Sequence, residues 1–271
     1  MAAFQLAIAL GADGIELDVQ LSADGEPVVI HDRRVDRTSD GRGFVSEFTA
    51  AQLASLNAGW RFTRRLESRP RLRARVQLLA ERLEPPTLCL NPQPIPLLRS
   101  VLEHLSGSGL ARIYVEIKGS ELTRPALLTR TIAIIRRLEV EPIVTLLSFD
   151  HSIIGRASQL APAVRRAITI PGLVRRLPTA RSIISASRAV EAGEVALHYS
   201  IASPRLVRML HQSGLQVAAW TANRKVVMKR LVWLGVDSIM TNHVDRLKSV
   251  IQGFNGDVPS RRRDRRQIKT G

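Results

Sequence analysis

Three carboxylates, one imidazole and one ammonium are spaced in this chain so that a few short strands could bring them together. In Gly14-Ile15-Glu16-Leu17-Asp18-Val19-Gln20 apolar residues alternate with Glu16 and Asp18. The period of two puts both carboxylates on one face of a strand. The run from Ile113 to Lys118 repeats the device: Val115 and Ile117 point outward, so Glu116 and Lys118 share the inward face. Three hard oxygen donors with an open side suit Mg²⁺ or Ca²⁺, and a neighbouring ammonium suits a phosphate oxygen. The ordinary reading of Glu-x-Asp on a strand is a polar, solvent-facing edge, and Glu116 argues against it here. The run Pro27–His31 follows the first strand after only Ser22-Ala23-Asp24-Gly25-Glu26. That is too short for a parallel crossover, so it is the return arm of a hairpin. Asp24-Gly25 suits a two-residue turn, a register that sets His31 opposite Asp18 and within reach of Glu16. A divalent ion would neutralise phosphoryl oxygens as charge builds, and an imidazole could protonate a leaving alkoxide.

The elements that must position these groups alternate strand with helix. Strand candidates are Gly14–Gln20, Ile113–Lys118, Ile143–Phe149, Val164–Ile170, Val195–Tyr199, Gln216–Thr221 and Ser238–Thr241. Between them lie helical stretches such as Pro94–Leu105, Arg124–Leu138, Pro204–Ser213 and Lys225–Leu234, several opening at Pro or followed by Gly. The expected fold is α/β, a TIM (β/α)₈-type barrel lacking its first strand, with a small hairpin and insertion near the C-terminal face. A closed barrel needs one strand more, and the chain opens on a helix, so the gap is expected at the N-terminus. The apolar stretch Ala2–Leu10 reads as a buried helix, too short to span a bilayer. One barrel domain is expected over residues 1–258, with an irregular insertion at about 60–94 outside the barrel wall and a basic, disordered tail at 259–271.

Composition narrows the partners. A formal charge of +16 favours anionic ones. Arg61 to Arg82 holds eight arginines against two glutamates, and Arg261 to Lys269 six basic residues against one aspartate, so a weak contact with anionic membranes through these segments is expected. Nucleic acid is not expected as the partner, since no recognisable module or aromatic stacking platform accompanies the arginines. Cys89 is the single cysteine, so no internal disulfide can form, which fits a cytoplasmic location. Its ordinary role is that of a small core hydrophobe. His104, His151, His198, His211 and His243 are read as structural, and Trp220 on a strand reads first as a core residue.

The run Gly11-Ala12-Asp13-Gly14-Ile15-Glu16-Leu17-Asp18-Val19, then Asp24-Gly25 and Pro27-Val28-Val29-Ile30-His31-Asp32, resembles the glycerophosphodiester phosphodiesterase signature. The resemblance continues through Glu116-Ile117-Lys118, Ser148-Phe149-Asp150, Trp220-Thr221-Ala222-Asn223 and Gly235-Val236-Asp237-Ser238-Ile239-Met240-Thr241. It implies that Glu16, Asp18 and Glu116 bind the metal, that His31 is one of two catalytic histidines, that Lys118 contacts the phosphate, and that Trp220 lines the glycerol site. The implied reaction is hydrolysis of glycerophosphodiesters to sn-glycerol 3-phosphate and an alcohol. Lysophospholipase D action on a lysophospholipid, or a catalytically inactive barrel that binds metal and phosphate, are the alternatives. Family members begin with a strand ending in His-Arg-Gly, which carries the second histidine. The expectation is therefore a true start upstream of Met1 and impaired activity for residues 1–271 alone.

Overall fold

The computed structural model describes residues 1–69, 71, 92–172 and 178–254. Cys89, the middle of the 60–94 insertion and the basic tail at 259–271 lie outside the described residues. Each expected strand is present to within one or two residues at its ends. In chain order the elements are α1 (Ala2–Ala9), β1 (Gly14–Leu21), β2 (Pro27–Val29), α2 (Ala50–Ser55), α3 (Trp60–Glu67), α4 (Leu98–Ser106) and β3 (Arg112–Ile117). There follow α5 (Arg124–Arg137), β4 (Val144–Ser148), α6 (His151–Leu160), β5 (Arg165–Ile170), α7 (Ala180–Ala189), β6 (Glu194–His198), α8 (Pro204–Gln212), β7 (Gln216–Trp220), α9 (Lys225–Leu234), β8 (Ser238–Ile239) and α10 (Val244–Phe254). No described helix is long and apolar enough to cross a membrane.

The strands form one curled sheet in the order β2-β1-β3-β4-β5-β6-β7-β8, parallel throughout except for the β1–β2 hairpin. This is a TIM-type barrel lacking one strand: β1 and β8 face each other across a gap and do not pair. Period-two alternation sorts the side chains. Outward residues such as Ile15, Leu17, Ile113, Val115 and Ile117 pack beneath Leu98, Leu102, Leu127 and Ile135 of the helices. Inward residues make a narrow second core of Tyr114, Leu147, Ala167, Ala196 and Ala218. Ala167, Ala196 and Ala218 there are fully buried, packed with Trp220 and Met240. At the N-terminal end of the strands a polar network ties distant strands together: Arg112 donates to Glu194 at 2.8 Å and the Tyr114 hydroxyl donates to it at 2.6 Å. Burial pushes the Glu194 carboxyl up from its ordinary value and the Tyr114 phenol to about 12.

Two expectations need correction. Ala2–Ala9 is a helix, but none of its residues is fully buried. It flanks the gap between β1 and β8, so Phe4 and Ala7 meet the core on one side and an open cavity on the other. The hairpin register also differs by one residue. Val19 faces Val29, and the Ile30 N–H donates to the Asp18 carbonyl at 3.0 Å, so Ile30, not His31, lies across from Asp18. The cause is the turn. Ser22 accepts from the Gly25 N–H and its own N–H donates to the Glu26 carbonyl, each at 3.0 Å, leaving a three-residue loop with Gly25 at φ +79°. Asp24 locks that loop, accepting from the Ser22 hydroxyl at 2.6 Å and from the Ala50 N–H at 2.9 Å. Beyond Val29 the chain leaves the sheet over a satellite core of Val28, Ile30, Val35, Val45, Leu53 and Ile95, which covers the hairpin's outer side.

Replacing Gly25 by Val places a β-branched side chain at positive φ against the Arg130 guanidinium, 3.1 Å from the position its Cβ would take. The variant should lose about 1–2 kcal/mol in urea unfolding. Unchanged stability would mean that the loop rearranges to the two-residue turn.

Candidate active site

The parallel pairing of β1 with β3 runs in step from Gly14 beside Arg112 to Val19 beside Ile117, which sets Asp18 next to Glu116. Glu16 stands two residues back on the same face. One carboxylate oxygen from each of Glu16, Asp18 and Glu116 lies within 4.8 Å of the others, a set of hard donors at the spacing a single divalent ion can bridge. The Lys118 Nζ sits 2.6 Å from Glu116 Oε1 and 3.1 Å from Asp18 Oδ1. Burial alone would lower the lysine's proton affinity, but Asp18 and Glu116 outweigh it and raise it, so Lys118 is an ammonium here.

The same crowding acts on the carboxyls. Burial, then the charges of Asp18 and Glu116, push Glu16 from 4.5 to about 8, against the opposing pull of Lys118. Burial also raises Glu116, with Lys118 opposing. Glu16 remains reachable by water through the gap beside β1, and that water screens part of the upward push. Excess negative charge focused on one point is the electrostatic condition under which a cation binds well.

All six residues expected at the site line one cavity of about 840 Å³: Glu16, Asp18, His31, Glu116, Lys118 and Trp220. His31 reaches it despite the shifted register because the chain bends after β2. Its backbone carbonyl accepts from the buried Gln20 amide at 3.1 Å, and its Nδ1 lies 2.6 Å from Asp32 Oδ1. Arg37 holds Asp32 in turn at 2.5 and 3.0 Å, and this bonding keeps the Asp32 carboxyl down at about 2. With Nδ1 engaged by the Asp32 carboxylate, the ring is oriented and Nε2 is the nitrogen that Asp32 leaves unengaged. Trp220 closes the opposite wall, its indole N–H donating to the Ala196 carbonyl at 3.0 Å. Phe149 and His198 meet it edge to face, with ring centroids at 5.5 and 5.1 Å, and the Lys118 ammonium lies 5.5 Å from the Phe149 ring.

Sequence reading missed three of these supports. Gln20, Asp32 and Phe149 stand within or beside the runs that carried the chemistry, but nothing in spacing shows which side chain a backbone carbonyl or imidazole will find. His198, taken as structural, packs edge to face against Trp220. His211 does have a structural partner, Asp237 Oδ2 at 2.9 Å.

Residues 1–246 match the sequence profile of the glycerophosphoryl diester phosphodiesterase family. The chain belongs to that family. It is a phosphoric diester hydrolase of the glycerophosphodiester phosphodiesterase type. It is 32% identical to a glycerophosphodiester phosphodiesterase from Caldanaerobacter subterraneus subsp. tengcongensis over 93% of this chain and 91% of that one. The fold is similar to a glycerophosphodiester phosphodiesterase from Agrobacterium tumefaciens, at TM-score 0.69 and 25% identity over 93% and 92% of the two chains. It is also similar to an Oleispira antarctica phosphodiesterase solved in complex with the product sn-glycerol-3-phosphate, at TM-score 0.75 and 21% identity over 93% and 90%.

The raised Glu16 value makes a prediction about pH. Between about 4.5 and about 8 the folded chain holds a proton that the unfolded chain has released. Stability of the metal-free protein should therefore fall as pH rises through that window. Thermal melts across the window should show this decline, and Glu16→Gln should flatten it. A decline of the same slope in Glu16→Gln would show that Glu16 does not carry the shift.

Proposed function

We propose that this protein hydrolyses glycerophosphodiesters to sn-glycerol 3-phosphate and an alcohol in a reaction that depends on a divalent metal, Mg²⁺ or Ca²⁺. The observation that carries the reading is the convergence of three carboxylates, an ammonium and an oriented imidazole in a single cavity of a barrel from this family. The product complex of the Oleispira relative supports a glycerol phosphate as ligand.

Glu16, Asp18 and Glu116 would hold the metal, whose charge would offset that building on the phosphoryl oxygens. Lys118, already among the carboxylates, offers N–H donors to a phosphate oxygen beside them. His31, held at Nδ1 by Asp32, delivers a proton from Nε2 to the departing alkoxide and so spares the product from leaving as a strong base. Trp220, flanked by Phe149 and His198, gives the glycerol moiety an apolar wall on the side away from the charges. Because these groups stand on strand ends and a braced loop, little reorganisation is needed as charge develops.

Among the described residues His31 is the only histidine lining the cavity, whereas the resemblance implies two. We therefore place residues 1–271 on their own as a slow catalyst. A version carrying a His-Arg-Gly strand ahead of Met1 should be faster by about 10²–10⁴, the usual worth of one positioned acid or base. Turnover of glycerophosphocholine, followed with and without EDTA, reads this directly. In the faster version Lys118→Met should cut kcat/KM by about 10² or more, and His31→Asn by about 10²–10⁴, with both variants folded. Full activity in His31→Asn, or turnover indifferent to EDTA, would overturn the proposal.

A further inference from the structure

From α5 to α9 the outer helices carry twelve lysines and arginines and no aspartate or glutamate. On α7, α8 and α9, which flank consecutive strands, Arg181, Arg188, Arg205, Arg208, Lys225 and Lys229 are all exposed. None of the six forms an ion pair among the described residues. A helical protein surface ordinarily mixes the two signs, which stabilises i,i+4 pairs and avoids self-repulsion. This wall does neither. Among the described residues these six cations find no counter-charge within ion-pair distance.

The same wall displays two large apolar side chains. Val226 is 63% and Trp233 68% exposed, seven residues apart on α9 with Lys229 and Arg230 between them. That spacing is two helical turns, so both side chains lie along one stripe. Exposed single hydrophobes are ordinary, but a tryptophan and a valine aligned within a field of unpaired cations match the amphipathic surface that a bilayer interface selects. Tryptophan settles at headgroup depth, and lysine and arginine meet lipid phosphates. Duplex nucleic acid has the negative charge but no apolar layer to receive Val226 and Trp233.

We infer that the α7–α9 wall, with Val226 and Trp233 on its α9 side, docks on a bilayer surface containing anionic phospholipid. It is a separate surface from the cavity. The inference also differs from the expectation that rested on the arginine-rich segments at 61–82 and 261–269, because it uses packed helices whose exposed faces are described.

Co-sedimentation with vesicles of phosphatidylcholine alone and of phosphatidylcholine mixed with phosphatidylglycerol tests it. The protein should bind the mixed vesicles and not the neutral ones, and rising salt should release it. Wild type, but not Trp233→Phe, should show a blue-shifted emission component on binding. Each of Lys225→Glu and Lys229→Glu should weaken partitioning by about fivefold or more, since a basic residue near an anionic surface is worth about that factor. Trp233→Ser should weaken it as well, with circular dichroism unchanged. Arg137→Glu on α5, the same change of charge away from the wall, should bind nearly as wild type. The inference is overturned if Arg137→Glu weakens binding as much as the α9 variants, if Trp233→Ser binds as wild type, or if a DNA duplex strips the protein from the vesicles.

Discussion

The in-step parallel pairing of β1 and β3 is the constraint on which the site depends. It sets Asp18 beside Glu116 and, through the two-residue period, brings Glu16 and Lys118 to the same face. Like charges so close repel unless something offsets them. Lys118 offsets part of the repulsion through contacts with both Asp18 and Glu116, yet Glu16 still holds its proton to about 8. The fold thus keeps at one point an electrostatic imbalance that a cation would relieve. A one-residue slip of β1 against β3 would move the carboxylates away from each other and expose the outward core, so packing and chemistry enforce one register.

The rest of the molecule keeps that register rigid. Outward residues of both strands lock beneath α4 and α5, and the polar network of Arg112, Tyr114 and Glu194 ties β3 to β6 across the lower lumen. On the other side β1 is held by the hairpin, whose loop is fastened by Asp24 to Ser22 and Ala50. The same hairpin launches the segment that delivers His31, and Gln20 of β1 grips the carbonyl of His31 from behind. Glu16, Asp18 and the imidazole are thereby tied to a common strand, and their relation is set by short-range geometry.

Much of this was legible before any coordinates. Alternation in Ile15-Glu16-Leu17-Asp18-Val19 and in Val115-Glu116-Ile117-Lys118 separates inward charge from outward core without ambiguity, because each apolar partner has a helix to pack against. The strand order followed from alternating elements and the parallel rule. The hairpin register did not follow: Asp24-Gly25 serves a two-residue turn and a three-residue loop equally well, and the choice rests on the bonds of Asp24 to Ser22 and Ala50, the second a contact across more than twenty residues. The half-exposure of α1 was hidden for a similar reason, since an apolar helix beside a gap has the same composition as one inside a core. Asp32 and Gln20 act through contacts whose partners local spacing does not reveal.

The central claim is that Glu16, Asp18 and Glu116 form one divalent-metal site. Calorimetric titration of the metal-free protein with Mg²⁺ and with Ca²⁺ near neutral pH, in buffers of different ionisation heat, tests it most directly. The account predicts one bound ion per chain with release of protons, because Glu16 is largely protonated there, and loss of that binding in Asp18→Asn. Binding that survives unchanged in Asp18→Asn and Glu16→Gln, or no binding of either ion by the folded protein, would contradict it.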